Sequence, residues 1–159
     1  MRLALVAGLA LVSACTATPG PGGGPFSRTQ ISTLQKTGFG KTDRGWEFSV
    51  NDKLLFATDR AEVVPDQVAA IRRVTQALIG VGIRHVEVEG HTDGTGTARY
   101  NDALSVKRAA AVAEVMIASG MERANVRVVG LGERYPVESN TTASGRAENR
   151  RVVMLVTAP

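Results

Sequence analysis

The chain has 159 residues, a formal net charge of +4 at pH 7 and only 4% aromatic residues. This length suits one folded domain with shorter segments attached to it. The positive charge is not concentrated in a run of Lys and Arg, and aromatic side chains that could stack on bases are scarce. The composition therefore argues against a nucleic-acid partner.

Residues 1–14 have the pattern of a signal peptide. Arg2 supplies a positive start, an apolar run extends from Leu3 to Val12, and the small residues Ser13 and Ala14 follow it. A membrane span takes about 20 apolar residues, so this run is too short to be one.

Cys15 is the single cysteine of the chain, so it cannot form an intramolecular disulfide. It closes the segment Val12-Ser13-Ala14-Cys15, which resembles a bacterial lipobox. The resemblance implies cleavage before Cys15, diacylation of its thiol and acylation of the new amino terminus. It also implies sorting to the outer membrane, since Thr16 stands where Asp would favour retention in the inner membrane. The alternative is an ordinary secretory signal with an incidental cysteine.

Residues 15–44 are predicted to be the lipidated cysteine and a linker. The stretch from Thr16 to Pro25 is dominated by Gly and Pro and cannot bury a core. The stretch from Phe26 to Thr42 is ambiguous, with apolar spacing that allows one helical turn. The folded domain is expected to occupy residues 45–159.

The hydrophobic pattern of this domain alternates between strands and helices. Period-two alternation follows Trp46, helical spacing follows Pro65, and the last apolar run is continuous, as in a strand covered on both faces. The predicted elements are a strand from Gly45, a helix from Pro65 to Leu78, a strand from Arg84 to Glu89, a helix ending near Ser119, and strands at Asn125–Val129 and Arg151–Val156. This βαβαββ order predicts a two-layer α/β sandwich.

The stretch from Val88 to Ala109 joins a strand to the second long helix. Gly90 ends the strand, a glycine-containing loop carries Asp93, and the helix carries Arg108. Unpaired N–H groups at a helix start attract anions, but one acid and one base together suit a zwitterionic ligand better than a phosphate. Taken separately, Asp93 could be a helix cap and Arg108 a solvated helix residue.

A set of motifs in this order resembles the OmpA-like (OmpA/MotB C-terminal) peptidoglycan-binding domain. The motifs are Gly90-His91-Thr92-Asp93, Gly96, Tyr100-Asn101, Leu104-Ser105, Arg108-Ala109, Gly130-Leu131-Gly132-Glu133, Pro136, Gly145-Arg146 and Asn149-Arg150-Arg151-Val152. The resemblance covers roughly Gly45 to Thr157. It implies a mixed four-stranded sheet with the helices on one face.

The same resemblance implies a ligand, the diaminopimelate residue of the peptidoglycan stem peptide. Asp93 would accept its ammonium, and Arg108 would bind its carboxylate through the planar guanidinium. The other implied ligand-binding residues are Thr95, Gly96, Asn101 and Leu104, with Phe56, Asp59, Asn149 and Arg150 in support. Because Asp93 and Arg108 lie off the apolar stripes, we expect them to be exposed and to matter for binding rather than for folding.

The spacing of Asp93 and Arg108 sets a condition on this site. They are 15 positions apart, which would be about 22 Å along one straight helix. Either the loop folds back beside the helix, or the helix is interrupted between Asn101 and Ser105. Ser105 could then cap a second helical segment.

The implied function is non-catalytic attachment of the outer membrane to the cell wall. The expected partners are peptidoglycan, membrane lipid through acylated Cys15, and candidate envelope proteins, without nucleic acid and without a cofactor. The alternatives are a wall-active enzyme and an accessory subunit of an envelope assembly.

Three chemical alternatives to a binding module have little support in the sequence. No nucleophile with a base, metal set or carboxylate pair stands out in a motif. His91 has only His85 as a companion, which argues against a metal site. The glycine-rich loop lacks both common phosphate-binding spacings.

Overall fold

The computed structural model describes residues 26–55 and 63–158. Its helices are α1 Arg28–Lys36, α2 Asp52–Leu55, α3 Pro65–Gly80, α4 Ala98–Ala118 and α5 Ala143–Asn149, and its strands are β1 Gly40–Thr42, β2 Gly45–Asn51, β3 Val86–His91, β4 Val126–Gly132 and β5 Arg151–Val156. Three residues singled out by the sequence analysis, Cys15, Phe56 and Asp59, lie outside the described residues, as does the expected signal peptide.

The strands form one mixed sheet in the order β1-β2-β5-β3-β4. Strands β3 and β4 are parallel, and the other neighbours are antiparallel. The predicted mixed α/β architecture is confirmed, but the sheet has five strands rather than four. The additional strand is β1, which forms a hairpin with β2 at the sheet edge. A strand of three residues is too short to show a period in the sequence.

Helix α1 and strand β1 occupy a stretch that the sequence analysis treated as linker. Ser27 and Gln30 form a capping box at the start of α1. Leu34 of α1 is fully buried, and Phe39 packs against Phe48 with ring centroids 5.5 Å apart. The ordered structure therefore begins before Gly45, where the sequence analysis placed the start of the domain.

The apolar core lies between one face of the sheet and helices α1, α3 and α4. Strand β5 is buried from Val152 to Val156, as its continuous apolar run predicts. Helix α3 begins at Pro65, directly after its N-cap Val64. The rigid core fixes where the ends of β2, β3 and β5 lie, and the candidate site is built on those ends.

Helix α4 is continuous, which excludes an interruption near Ser105, one of the two alternatives for the spacing of Asp93 and Arg108. Its N-cap is Thr97, whose hydroxyl accepts a hydrogen bond from the backbone N–H of Tyr100. Ser105 lies inside the helix, and its buried hydroxyl donates to the carbonyl of Asp102 and accepts from the N–H of Gly132. A serine in a helix interior is tolerated here because both of these hydrogen bonds are made.

The face of the sheet opposite the core carries a group of charged side chains. Arg44, in the β1–β2 turn, reaches across the sheet to pair with Glu89 of β3. Arg127 Nη1 lies 2.9 Å from Glu87 Oε2, and His91 Nε2 lies 3.7 Å from Glu89 Oε2. We call Arg44, Glu87, Glu89, His91 and Arg127 the sheet-face cluster.

Candidate functional site

Helix α4 crosses directly over the carboxyl end of β3. A Cβ atom added to Gly90 would lie 2.0 Å from the carbonyl oxygen of Ser105, and one added to Gly130 would lie 2.3 Å from Val106. These glycines therefore let the helix backbone approach the parallel strand pair closely. One turn beyond this crossing, Arg108 pairs with Asp52, the first residue of α2. The loop that follows β3 folds back along the helix, since the Asn101 side chain donates to the Asp93 carbonyl, and Asp93 and Arg108 are linked through Arg150 and Asp52.

Four charged side chains converge at this point. Arg108 Nη2 lies 2.8 Å from Asp52 Oδ2, and Arg150 Nη1 lies 2.5 Å from Asp93 Oδ2. Arg150 Nε also lies 3.9 Å from Asp52 Oδ2. We call Asp52, Asp93, Arg108 and Arg150 the four-charge cluster. Its two carboxylates and two guanidiniums balance in charge.

The cluster is largely withdrawn from solvent. Asp52 and Asp93 are each 8% exposed and Arg108 is 9% exposed, while the side chain of Arg150 is 25% exposed. The expectation that Asp93 and Arg108 are exposed is therefore wrong. Both belong to buried ion pairs, and removing one partner of such a pair leaves an uncompensated charge.

The pKa values of the two carboxylates are shifted in opposite directions. Burial raises the pKa of Asp93, but hydrogen bonds from Arg150 and Thr95 lower it more, so the pKa lies below its ordinary value. At Asp52 burial is the larger effect, and the pKa is raised although Arg108 and Arg150 act to lower it. Asp93 thus holds its negative charge more firmly than Asp52 does.

Hydrogen bonds fix the loop around Asp93. The N–H of Thr95 donates to Asp93 Oδ1 over 2.9 Å, and the side-chain amide of Asn101 donates to the carbonyl of Asp93 over 3.3 Å. Gly96 has a φ of 100°, a conformation that favours glycine. Asn101 is 2% exposed and also bonds Glu133. The structure thus shows Asn101 organising the loop, while Leu104 is only partly buried on α4.

Asn149 organises a second loop rather than joining the charges. Its side-chain oxygen accepts from the N–H groups of Val137 and Glu138, and its amide donates to the side chain of Asn140 over 2.9 Å. Asn140 in turn accepts from the N–H of Gly94 over 3.1 Å. This chain of contacts connects the loop before α5 to the loop that carries Asp93.

Asp52 is not among the residues predicted from the sequence, and Arg150, predicted in a supporting role, contacts both Asp93 and Asp52. The antiparallel pairing of Asn51 with Arg151 brings both residues to the same end of the sheet, and the N–H of Asp52 donates to the carbonyl of Arg150 over 2.8 Å. The signal in the sequence is an acid directly after one strand and a base directly before another. That signal becomes readable only when the two strands are known to be neighbours.

The described residues contain no group of three His, Cys, Asp or Glu side chains placed to hold a metal ion. His91 is 2% exposed and belongs to the sheet-face cluster. Within residues 26–55 and 63–158, no helix has the length and apolarity needed to cross a membrane.

The mixed sheet, the loop after β3 and the arginine on α4 together define an OmpA-like α/β domain. The chain belongs to the OmpA family, whose sequence profile matches residues 55–150. It is 43% identical over 154 residues to the outer-membrane lipoprotein YfiB of Pseudomonas aeruginosa, an alignment that covers 97% of this chain and 89% of YfiB.

Two further similarities come from a curated protein and a crystal structure. The peptidoglycan-binding protein ArfA of Mycobacterium tuberculosis is 37% identical over 103 residues, which are 65% of this chain but only 32% of ArfA. The peptidoglycan-associated lipoprotein from Burkholderia pseudomallei superposes with a TM-score of 0.60 at 32% sequence identity. That superposition covers 69% of this chain and 89% of the lipoprotein.

Proposed function

We propose that this protein binds peptidoglycan without catalysis, through the diaminopimelate residue of the stem peptide. The observation that carries the proposal is the four-charge cluster, which offers both signs of charge within one small site. A ligand that carries an ammonium and a carboxylate on one carbon could be held by both signs at once. ArfA and the Burkholderia lipoprotein, whose names refer to peptidoglycan, support the same polymer as the ligand.

In this mechanism the ligand replaces part of an internal ion-pair network. Asp93 accepts the ligand ammonium, since its lowered pKa keeps it ionised. Arg108 and Arg150 bind the ligand carboxylate, for which a planar guanidinium supplies paired N–H donors. Thr95, Gly96 and Leu104 border the site, and Phe56 and Asp59 are proposed to support it from outside the described residues.

The cost of desolvating charges is already met in the folded protein. All four groups are held in place by one another before the ligand arrives, so binding exchanges one set of charge-assisted hydrogen bonds for another. Such a preorganised site loses little side-chain freedom on binding. A repeating polymer beside an anchored domain also keeps the local ligand concentration high.

We further propose that Cys15 anchors the protein to the outer membrane and that the domain faces the periplasm. In this proposal residues 1–14 are a cleaved signal peptide, and the Gly/Pro-rich stretch after Cys15 lets the domain reach the wall. The relative YfiB is named an outer-membrane lipoprotein, which supports this location. The combined function is to tether the outer membrane to the cell wall.

The ligand is tested by sedimentation of the full chain with insoluble peptidoglycan. Walls that contain lysine in place of diaminopimelate lack the carboxylate assigned to the two arginines. Loss of this charge-assisted contact should weaken binding roughly ten- to a hundredfold. Equal affinity for both wall types would remove the arginines from their proposed role.

The anchor is tested by Cys15→Ser. This variant should remain uncleaved and unlipidated, and mass spectrometry would show the retained signal peptide and the missing acyl chains. If the variant is still processed and still fractionates with outer membranes, the proposed anchor is incorrect.

A further inference from the structure

Asp52 has a position that peptidoglycan binding as described above does not use. It is the first residue of α2, directly after β2, and it is 8% exposed. Its Oδ2 atom lies 2.8 Å from Arg108 Nη2 and 3.9 Å from Arg150 Nε. Its Oδ1 atom is buried and has no hydrogen-bond partner. The carboxylate therefore pairs with both arginines that are assigned to the ligand carboxylate.

We propose that Asp52 is a specificity-determining residue that sets the net charge of the four-charge cluster to zero and so selects a ligand head group carrying one ammonium and one carboxylate. The inference rests on the proposed function, since it deepens the assignment of the same site. Asp52 acts through Arg108 and Arg150 and is therefore a positioning residue.

The specificity role of Asp52 follows from the charges of the cluster. Without Asp52, the four-charge cluster would be left with two guanidiniums and one carboxylate, and it would favour ligands with an excess of negative charge. With Asp52, one positive charge is compensated within the cluster. A head group with no net charge is then favoured over a purely anionic one or a purely cationic one, because charge complementarity between the partners sets specificity.

The geometry also assigns Asp52 a second, compatible effect. The bond from Asp52 to one guanidinium nitrogen orients Arg108 at the end of its long side chain. A guanidinium fixed in orientation can be aligned with the plane of a carboxylate. A neutral asparagine preserves much of this orientation, so a change in charge can be separated from a change in position.

The test uses three stem peptides that differ only at the third residue. The first contains meso-diaminopimelate, whose distal carbon carries both groups. The second contains lysine, which lacks the distal carboxylate, and the third contains 2-aminopimelate, which lacks the distal ammonium. Compared with the diaminopimelate peptide, the lysine peptide is one unit more positive and the 2-aminopimelate peptide is one unit more negative. Dissociation constants for the full chain are measured by isothermal titration calorimetry.

Wild-type protein should bind the diaminopimelate peptide most tightly. In Asp52→Asn, the preference for diaminopimelate over 2-aminopimelate should fall by roughly fivefold or more, because the site now carries one excess positive charge. The preference for diaminopimelate over lysine should rise in the same variant. A residue with only a structural role would weaken all three peptides by the same factor and leave both ratios unchanged.

Matched variants complete the design. Glu114→Gln is the control, because it also removes an acid from an ion pair. Glu114 lies on α4 and pairs with Arg123, but this pair is exposed and lies outside the four-charge cluster. Its ratios should match those of the wild type. Asp52→Glu, which restores the charge, should recover the wild-type order of the three peptides. Asp52→Ser serves as a second neutral variant if the asparagine variant does not fold.

The outcomes separate this inference from the proposed function. If wild-type protein binds none of the three peptides, the proposed function fails and the role of Asp52 fails with it. If wild-type protein selects diaminopimelate and the neutral variants keep both ratios, only the role of Asp52 is overturned. If neither neutral variant folds, Asp52 is required for folding and the specificity role is likewise overturned.

Discussion

The described residues hold two groups of charges, one buried and one that is buried only at Glu89 and His91, and the two groups differ in the elements that carry them. The sheet-face cluster lies mainly on strands, where β3 pairs with β4 and β5 along its length. The four-charge cluster lies on the ends of elements: Asp52 follows β2, Asp93 follows β3 and Arg150 precedes β5. Only Arg108 comes from the interior of an element, helix α4.

Each cluster holds one carboxylate whose pKa is lowered and one whose pKa is raised, namely Glu89 and Glu87 on the sheet face and Asp93 and Asp52 in the four-charge cluster. Burial raises the pKa of Glu89, but His91 and the Arg44 guanidinium lower it more, to about 2. The ionised form of Glu89 is therefore stabilised in the folded state. The pKa of Asp52 is raised, so its ionised form is disfavoured by folding. Charges that are costly to hold and that converge at the end of a sheet are typical of binding sites.

The largest effect is expected from Arg108→Ala, which breaks the four-charge cluster. Asp52 would be left as a buried carboxylate without its close partner, which costs about 3–5 kcal/mol of folding free energy. Binding of diaminopimelate peptides should fall by more than about a hundredfold. Denaturant unfolding and calorimetry measure the two effects separately.

A variant that weakens binding but remains folded is needed as a control for Arg108→Ala. Asp93→Asn keeps the shape of the side chain and should weaken binding while the protein remains folded. The double variant of Asp93 and Arg108 should lose less than the sum of the single losses, since both grip one ligand. A folded Asp93→Asn protein that still sediments with peptidoglycan would contradict the assigned site.

The second effect concerns the sheet-face cluster and its dependence on pH. Because the folded pKa of Glu89 is depressed from 4.5 to about 2, its contribution is fully present above pH 4.5 and is lost as the pH falls towards 2. At neutral pH this contribution is at most about 3 kcal/mol. Glu89→Gln should remove that part of the acid sensitivity, as measured by unfolding between pH 2 and 7. Peptidoglycan binding at neutral pH should be unchanged. A loss of binding would show that the sheet-face cluster also contributes to the binding site.

A smaller pH dependence of stability, opposite in sign to that of Glu89, is expected from Asp52. Its folded pKa is raised above the ordinary 3.8, so its ionisation lowers stability above that range and protonation restores stability as the pH falls. Asp52→Asn cannot ionise and should lose this part of the pH dependence, in addition to whatever stability is lost with the ion pair to Arg108. Unfolding curves of the two variants, Glu89→Gln and Asp52→Asn, should therefore deviate from wild type in opposite directions with pH. Equal deviations would show that the comparison is incorrect.

The smallest effect is expected from Glu114→Gln. Glu114 pairs with Arg123 over 2.7 Å, but both side chains are more than half exposed. Exposed ion pairs are screened by water and salt and add little to stability. Thermal melting and peptide binding of this variant should both match the wild type, which makes it the reference for every other substitution.

Much of the architecture follows from the sequence alone. The period-two pattern after Trp46, the proline that starts α3 and the continuous apolar run of β5 are local signals, and each predicts its element. The motif from Gly90 to Arg108 predicts a loop and a helix that carry opposite charges. The short strand β1 has no such signal, because three residues do not establish a period.

The tertiary structure decided the features that join distant residues. Ser105 has the chemistry of a helix cap, yet the packing of α4 on Gly90 and its bond to Gly132 keep it inside one continuous helix. The adjacency of β2 and β5 brings Asp52 to Arg108 and Arg150, and no local pattern contains that pairing. The sequence by itself determined which segments form strands and helices and which residues carry charge, because these depend on neighbours in the chain. The order of strands determined which charges meet and how deeply they are buried, because that depends on contacts between segments far apart in the chain.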